Sequence, residues 1–389
     1  MSTLRLITAG ESHGPGLTAI VEGLPAGLEL DRDALNADMA RRQLGHGRGG
    51  RMKIEKDSAE VTAGVRHGRT LGGPVALWVV NRDYQNWEER MNPWPVDAEV
   101  KEVHLPRPGH ADLVGVWKYR QTDVRNILER ASARETAARV AGGGLAKAFL
   151  RALGVRVLSH VVQIGPIRSG VVPQRPEDFD GVDDDPVRCL DPEASRAMVE
   201  HINVQRKANE SIGGVFEVRA FGLTPGLGSH VSWEERLDGR LAQAVCSIQA
   251  VKGVAFGDGF DLAGVPGSQA HDEIFWSQER GYHRETNHAG GLEGGMTTGE
   301  PLILRGALKP IPTLTKPLRS VDISTREPAQ ALRERTDSSV VPAGGVVAEA
   351  MVAFVLADAY RRKFGGDHID DVLEAVRAYE ERIGWKRRS

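Results

Sequence analysis

The chain of 389 residues carries only two cysteines, Cys189 and Cys246, far apart in sequence. That is no disulfide framework and no zinc-ligand spacing. Aromatic residues make up 5% of the chain, so Val, Leu, Ile and Ala must build the core. The longest strongly apolar run, residues 351–357, falls short of the roughly 20 residues a membrane helix needs. Residues 1–7 have no apolar core of the signal-peptide kind. A cytoplasmic protein with no membrane partner is expected. The formal net charge of −3 argues against nucleic-acid binding by bulk electrostatics. No G-x-G-x-x-G follows a predicted strand, and neither a Walker phosphate loop nor H-E-x-x-H is present. Dinucleotide-fold, P-loop and zinc-hydrolase chemistry are set aside, and no metal is expected.

Lysine is also scarce. Of 50 basic residues only 11 are lysine, so arginine dominates, and it clusters beside glycine and histidine in short loops. Arg42, Arg48, Arg107, Arg130, Arg134 and Arg335 fall in such segments. Guanidinium groups bind carboxylates and phosphates bidentately, so these positions imply a ligand with several negative groups. The GRGG run at 47–50 could instead bind RNA, but it lacks the interleaved aromatics of a stacking platform. The 45 glycines exceed average usage of about 7%, and many lie in loops, where backbone can approach a ligand closely. His13 and His110 sit among Gly and Pro beside Ser12 and Arg107, as candidates for proton transfer near neutral pH.

The stretch 130–136, RASARET, organises the reading. Ser132 and Glu135 have capping-box spacing, and a small apolar face follows to a stop at Gly154, so a helix is expected to start at Ser132. Unpaired N–H groups at a helix start suit an anion, which Arg130 and Arg134 would also hold. Strands are expected at 4–8, 17–22, 61–65, 74–80, 155–163, 214–221 and 301–307. Helices are expected at 32–42 (capped by Asp31), 195–204, 237–249 and 346–364, with a last one capped by Asp367. Residues 81–103 are irregular and read as a lid or subunit contact. Residues 173–192 are acidic and Pro-rich and read as a surface excursion. No linker divides the chain, so residues 1–389 form one domain. The irregular alternation of strands and helices favours α+β over a doubly wound sheet.

Eight segments in order resemble the chorismate synthase family: GESHG at 10–14, RRQLGHGRGGRM at 41–52, RPGHAD at 107–112, RASARETAARVAGG at 130–143, SIQAVKG at 247–253, NHAGGLEGGMTTGEP at 287–301, KPIPT at 309–313 and RTDSSVVPAGG at 335–345. The resemblance implies a β-α-β sandwich, two antiparallel sheets around a helical core, assembled as a homotetramer. It implies a lyase that converts 5-enolpyruvylshikimate 3-phosphate to chorismate and phosphate by 1,4-elimination. The reaction belongs to the shikimate pathway of aromatic amino acid biosynthesis and requires reduced FMN without net redox change. By resemblance His13 protonates the departing phosphate and His110 protonates reduced flavin. Asp337, with Ser12 as relay, removes the substrate proton through the flavin. Flavin contacts fall on Arg130, Ala131, Ser132, Gln249, Ala250, Gly294, Lys309, Pro310, Ile311, Pro312, Thr313 and Arg335. Arg42 and Arg48 match positions assigned to a nicotinamide cofactor, NADPH being a source of reduction, and are expected to hold substrate anions as well. Arg107 and Arg134 are expected on the substrate. Thr336 stands where the family often has His or Ser, and His46 replaces a commonly aromatic or small residue.

Overall fold

A computed structural model describes residues 4–49, 56–334 and 337–386. Two antiparallel sheets carry the fold. The first runs Arg5–Ala9, Gly16–Glu22, Val75–Val80, Glu60–Ala63, with Ile7 opposite Ile20 and Ala19 opposite Leu77. The second runs Val251–Phe256, Leu302–Leu308, Gly214–Phe221, Arg156–Ile164, Ile167–Arg168, with Leu304 opposite Val218. Alternation in Gly16–Glu22 turns Leu17, Ala19 and Val21 into the core.

The helices are α1 (Arg32–Gln43), α2 (Asp112–Tyr119), α3 (Arg125–Ala131), α4 (Thr136–Ala152), α5 (Pro192–Lys207), α6 (Leu237–Cys246), the single turn α7 (Gly267–Ala270), α8 (Val341–Phe364) and α9 (Ile369–Ile383). α4 packs on the first sheet, α8 on the second, and the two helices pack on each other. The result is the sandwich with a helical centre that the resemblance implied. Small residues make the central contact possible: a Cβ on Gly143 would meet the Ala350 Cβ at 2.4 Å. α8 is long and apolar enough to cross a membrane, more than the run 351–357 suggested, but its apolar window is 94% buried inside the protein. An all-round apolar helix is what a two-sided core requires.

Three sequence expectations need correction. α2 and α3 were not foreseen as helices. The helix behind RASARET starts at Thr136, while Ser132 ends α3 and caps a 3-10 turn by accepting the Arg134 N–H at 3.2 Å. No reciprocal box forms there, because the Glu135 carboxylate is taken by Thr8 (2.7 Å) and Arg139 (2.8 Å). His368, not Asp367, caps α9, in a reciprocal pair with Asp371. The stretch 173–192 runs over the surface, with Glu177, Asp178, Asp180 and Asp184 exposed, and is anchored there by buried Phe179, Val182, Val187 and Arg188, Phe179 packing edge-on to His160.

Candidate active site

The first wall is the turn between the first two strands. Gly10 has φ 111°, and a Cβ there would lie 2.4 Å from the Gly16 carbonyl oxygen, so only glycine lets the turn close. Asn81 Nδ2 donates to the carbonyls of Glu11 (3.1 Å), Ser12 (3.3 Å) and Gly14 (2.7 Å), which fixes the turn from below. The His13 ring stacks on Trp87 at 3.9 Å, and its Nδ1 lies 2.9 Å from Oε1 of Glu129. Glu129 is buried and also takes Arg125 at 2.8 Å. Burial would raise this carboxyl, but His13 and Arg125 hold it below the usual range. The Ser132 hydroxyl donates to Ser12 Oγ at 3.1 Å.

The second wall is the turn 107–112, built the same way. Nδ1 of His110 lies 2.5 Å from Asp112, and Arg107 Nε donates to Asp112 at 2.9 Å. Asp112 is fully buried, which would raise it, yet bonds from His110 and Arg107 pull it down to about 2. Lys309 Nζ donates to the Gly109 carbonyl at 2.6 Å, and Arg107 donates to Thr313 Oγ1 at 3.1 Å. Pro312 lies beside Gly109, and the Ile311 carbonyl accepts the Ser211 hydroxyl at 2.8 Å. Burial, with Lys252 nearby, lowers the Lys309 ammonium.

Contacts join the two walls on both sides. Glu334 lies 3.4 Å from Arg107 and 3.8 Å from Arg125. On the other side the Lys309 N–H donates to the Ala250 carbonyl at 2.9 Å, and Gln249 Nε2 donates to Glu135 at 3.3 Å. Glu135 lies 3.8 Å from Arg130, whose guanidinium also donates to Thr8 O at 2.8 Å. The contacts thus close into a ring holding both histidines, Ser12, Ser132, Arg130, Gln249, Ala250 and Lys309. Ala131 ends α3 within it.

The arginines are less available than their number implied. Arg134 and Arg42 both sit on buried Asp57, at 2.6 Å each. Burial pushes Arg42 down to about 10 against the pull of Asp57. Arg134 Nε also donates to Asn81 at 2.8 Å, tying the arginines to the His13 turn. Arg48 lies 3.3 Å from Asp337, which also accepts the Gly49 N–H at 2.5 Å. His46 is engaged by Asn203 at 2.9 Å. Gly294 sits at the exposed turn of a small hairpin, against His230 and Met296. Arg335 and Thr336 lie outside the described residues.

Sequence reading missed Asp57, Asn81, Trp87, Glu129 and Glu334, and left Asp112 without a role. Only two signals were available. Arg125 and Glu129 have i,i+4 spacing, and Asp112 lies inside a quoted motif.

A family model described as chorismate synthase matches residues 4–360. The chain belongs to the chorismate synthase family. It is 55% identical to the chorismate synthase of Symbiobacterium thermophilum, with 98% of this chain and 99% of that protein covered. It is 52% identical to that of Alkaliphilus metalliredigens, over 96% and 99% of the two chains. A solved structure described as "Crystal Structure of Chorismate Synthase" is 42% identical, covers 98% of both chains and superposes with a TM-score of 0.79. Membership makes this chain an enzyme of the lyase class, and the fold and resemblance read from the sequence both hold.

Proposed function

We propose that this ring binds 5-enolpyruvylshikimate 3-phosphate against reduced FMN and converts it to chorismate and phosphate by 1,4-elimination in the shikimate pathway. The observation that carries the reading is the pairing of two histidines, each with a buried carboxylate, inside one arginine-bearing ring. That is two poised proton donors around a polyanion site.

The ring fits a flavin. Gln249 Oε1 is buried without a hydrogen-bond partner among the described residues, so it can accept from a ring N–H. The adjacent Ala250 holds φ 71°, a left-handed strain of about 1–2 kcal/mol that brings its backbone round to Lys309. Arg130, Ala131, Ser132, Gln249, Ala250 and residues 309–313 would hold FMN, with Gly294 and Arg335 as further contacts. Reduced FMN supplies electrons that return within the turnover, so no reductant is consumed.

His13 gives its proton to the departing phosphate. His110 holds a proton beside the flavin, oriented by Asp112. Ser12 and Asp337 serve removal of the substrate proton. Arg107 faces the substrate's anionic groups, while Arg134, expected beside it, is buried on Asp57 and serves the substrate through the turn it holds with Asn81. Arg42 and Arg48 lie where NADPH is expected in the family, though both are already engaged by carboxylates. NADPH as reductant is tested by anaerobic flavin bleaching. Exposed Phe260, Ile274, Trp276 and Tyr282 offer apolar surface for self-association, the homotetramer being the assembly proposed, in the cytoplasm.

His13→Ala and His110→Ala should fold normally and each lose roughly 10²- to 10⁴-fold in phosphate release with reduced FMN. Near-wild-type turnover of either variant would reject that residue's role.

A further inference from the structure

Glu129 gives and takes no proton in the steps above, yet it grips His13 at two points. Its carboxylate accepts the His13 backbone N–H at 2.8 Å and meets ring Nδ1 at 2.9 Å. Its own backbone carbonyl accepts the Ser12 N–H at 3.0 Å. Trp87 covers the imidazole face at 3.9 Å, so the ring is held in plane as well as in position. The charged groups around the pair come from three elements. Arg125, on α3 with Glu129, bonds the carboxylate and lies over the Trp87 ring at 5.0 Å. Arg90 also lies over that ring, and Asp83 accepts its indole N–H. Glu11 belongs to the same turn as His13. With Arg125 and His13 against it, Glu129 stays ionised. An ionised carboxylate can only accept, so the proton in this contact must sit on Nδ1.

We propose that Glu129 is the positioning residue of His13, fixing the imidazole in its Nδ1–H tautomer so that Nε2 is the nitrogen that serves the phosphate. The inference rests on the role assigned to His13 above. In the imidazolium form of His13 both ring nitrogens carry a proton; as the substrate C–O bond breaks, its electron pair stays with the phosphate, and the Nε2 proton passes to a phosphate oxygen. A neutral imidazole remains with its one proton on Nδ1, already donated to Glu129. Glutamine at 129 has the same shape but can donate to Nδ1. It therefore favours the opposite neutral tautomer and opposes proton release from Nε2.

Nitrogen-15 spectra of histidine-labelled protein at mildly alkaline pH read the tautomer without substrate or flavin, with His13→Ala giving the assignment. The wild type should show a protonated Nδ1 and a bare Nε2 on His13. Glu129→Gln should invert the pattern, and Glu129→Asp should keep it. In turnover, Glu129→Gln should lose roughly 10²-fold or more in kcat with KM little changed, and Glu129→Asp should recover most of it. A bare Nδ1 in the wild type overturns the proposal, even if Glu129→Gln does not fold. So does an unaltered tautomer in Glu129→Gln. If the tautomers behave as described but His13→Ala turns over normally, the positioning stands and the phosphate role falls.

Discussion

Arg41 and Arg42 are neighbours on α1 and end in two different charge clusters. Arg41 turns into the core, where it meets Glu349 on α8 at 2.8 Å alongside Lys147 (3.0 Å) and Arg188 (3.3 Å). Asp38 and Asp183 close that cluster, and Ser159 donates to Glu349 at 2.7 Å. Burial would raise Glu349, but the three cations hold it far below its ordinary range. Arg42 turns the other way, to Asp57 and Arg134, and through Asn81 to the His13 turn. Both clusters are buried and paired, so burial and pairing alone do not mark function. What separates them is where the remaining contacts lead. The Glu349 cluster joins α1, α4 and α8 to one another. The Asp57 cluster leads to loops that carry reactive side chains.

The sharpest way to break this distinction is to empty each cluster at its acid. Asp57→Ala strands two buried guanidinium groups and should destabilise by about 3–5 kcal/mol. Because Arg134 and Asn81 then lose their anchor, KM for the substrate should rise as well. Glu349→Gln should show a similar loss in denaturant unfolding, about 3–5 kcal/mol, while kcat per folded molecule stays near wild type. If Glu349→Gln raises KM as strongly as Asp57→Ala, the two clusters are not functionally separate.

Asp337→Asn probes the boundary between holding and reacting. It keeps an acceptor for the Gly49 N–H but removes the charge opposite Arg48. The expected outcome is slower turnover with flavin binding retained in a fluorescence titration. Loss of flavin binding would make Asp337 an anchor instead.

The smallest effect expected is on acid stability. Asp112 and Glu217 are both held at about 2, below their ordinary 3.8 and 4.5, because their bonds to histidine and arginine outweigh burial. A depressed carboxylate stabilises the fold above its ordinary pKa, and that contribution is lost as pH falls through the folded value. The melting temperature should therefore fall between about pH 4.5 and pH 2, and the slope should flatten in Glu217→Gln. A profile unchanged by that substitution would remove Glu217 from the account.

How much of this was legible in the sequence follows from the same pair of arginines. RRQLGHGRGG placed Arg41 and Arg42 together, but adjacent helical residues point about 100° apart. Only packing reveals that one enters the core. The strands 214–221 and 17–22 were readable because alternation is local, and the eight motifs gave the family because they are strings. The carboxylates were not readable. Asp57 lies 77 residues from Arg134 in sequence, and Glu129 lies 116 from His13, so nothing local ties each acid to its partner. The same holds for Ser132, whose cap spacing was correct while its partner Glu135 was drawn off by Thr8 and Arg139. Residue types announced the chemistry; long-range pairing decided which arginines were already engaged.

The proposed reaction eliminates phosphate from 5-enolpyruvylshikimate 3-phosphate without consuming reductant. The most direct measurement is an anaerobic turnover with dithionite-reduced FMN, following chorismate, phosphate and flavin absorbance together. Chorismate and phosphate should form in equal amounts over many turnovers, with the flavin still reduced at the end. Flavin oxidised in step with product, or no chorismate formed from a folded, flavin-bound enzyme, would contradict it.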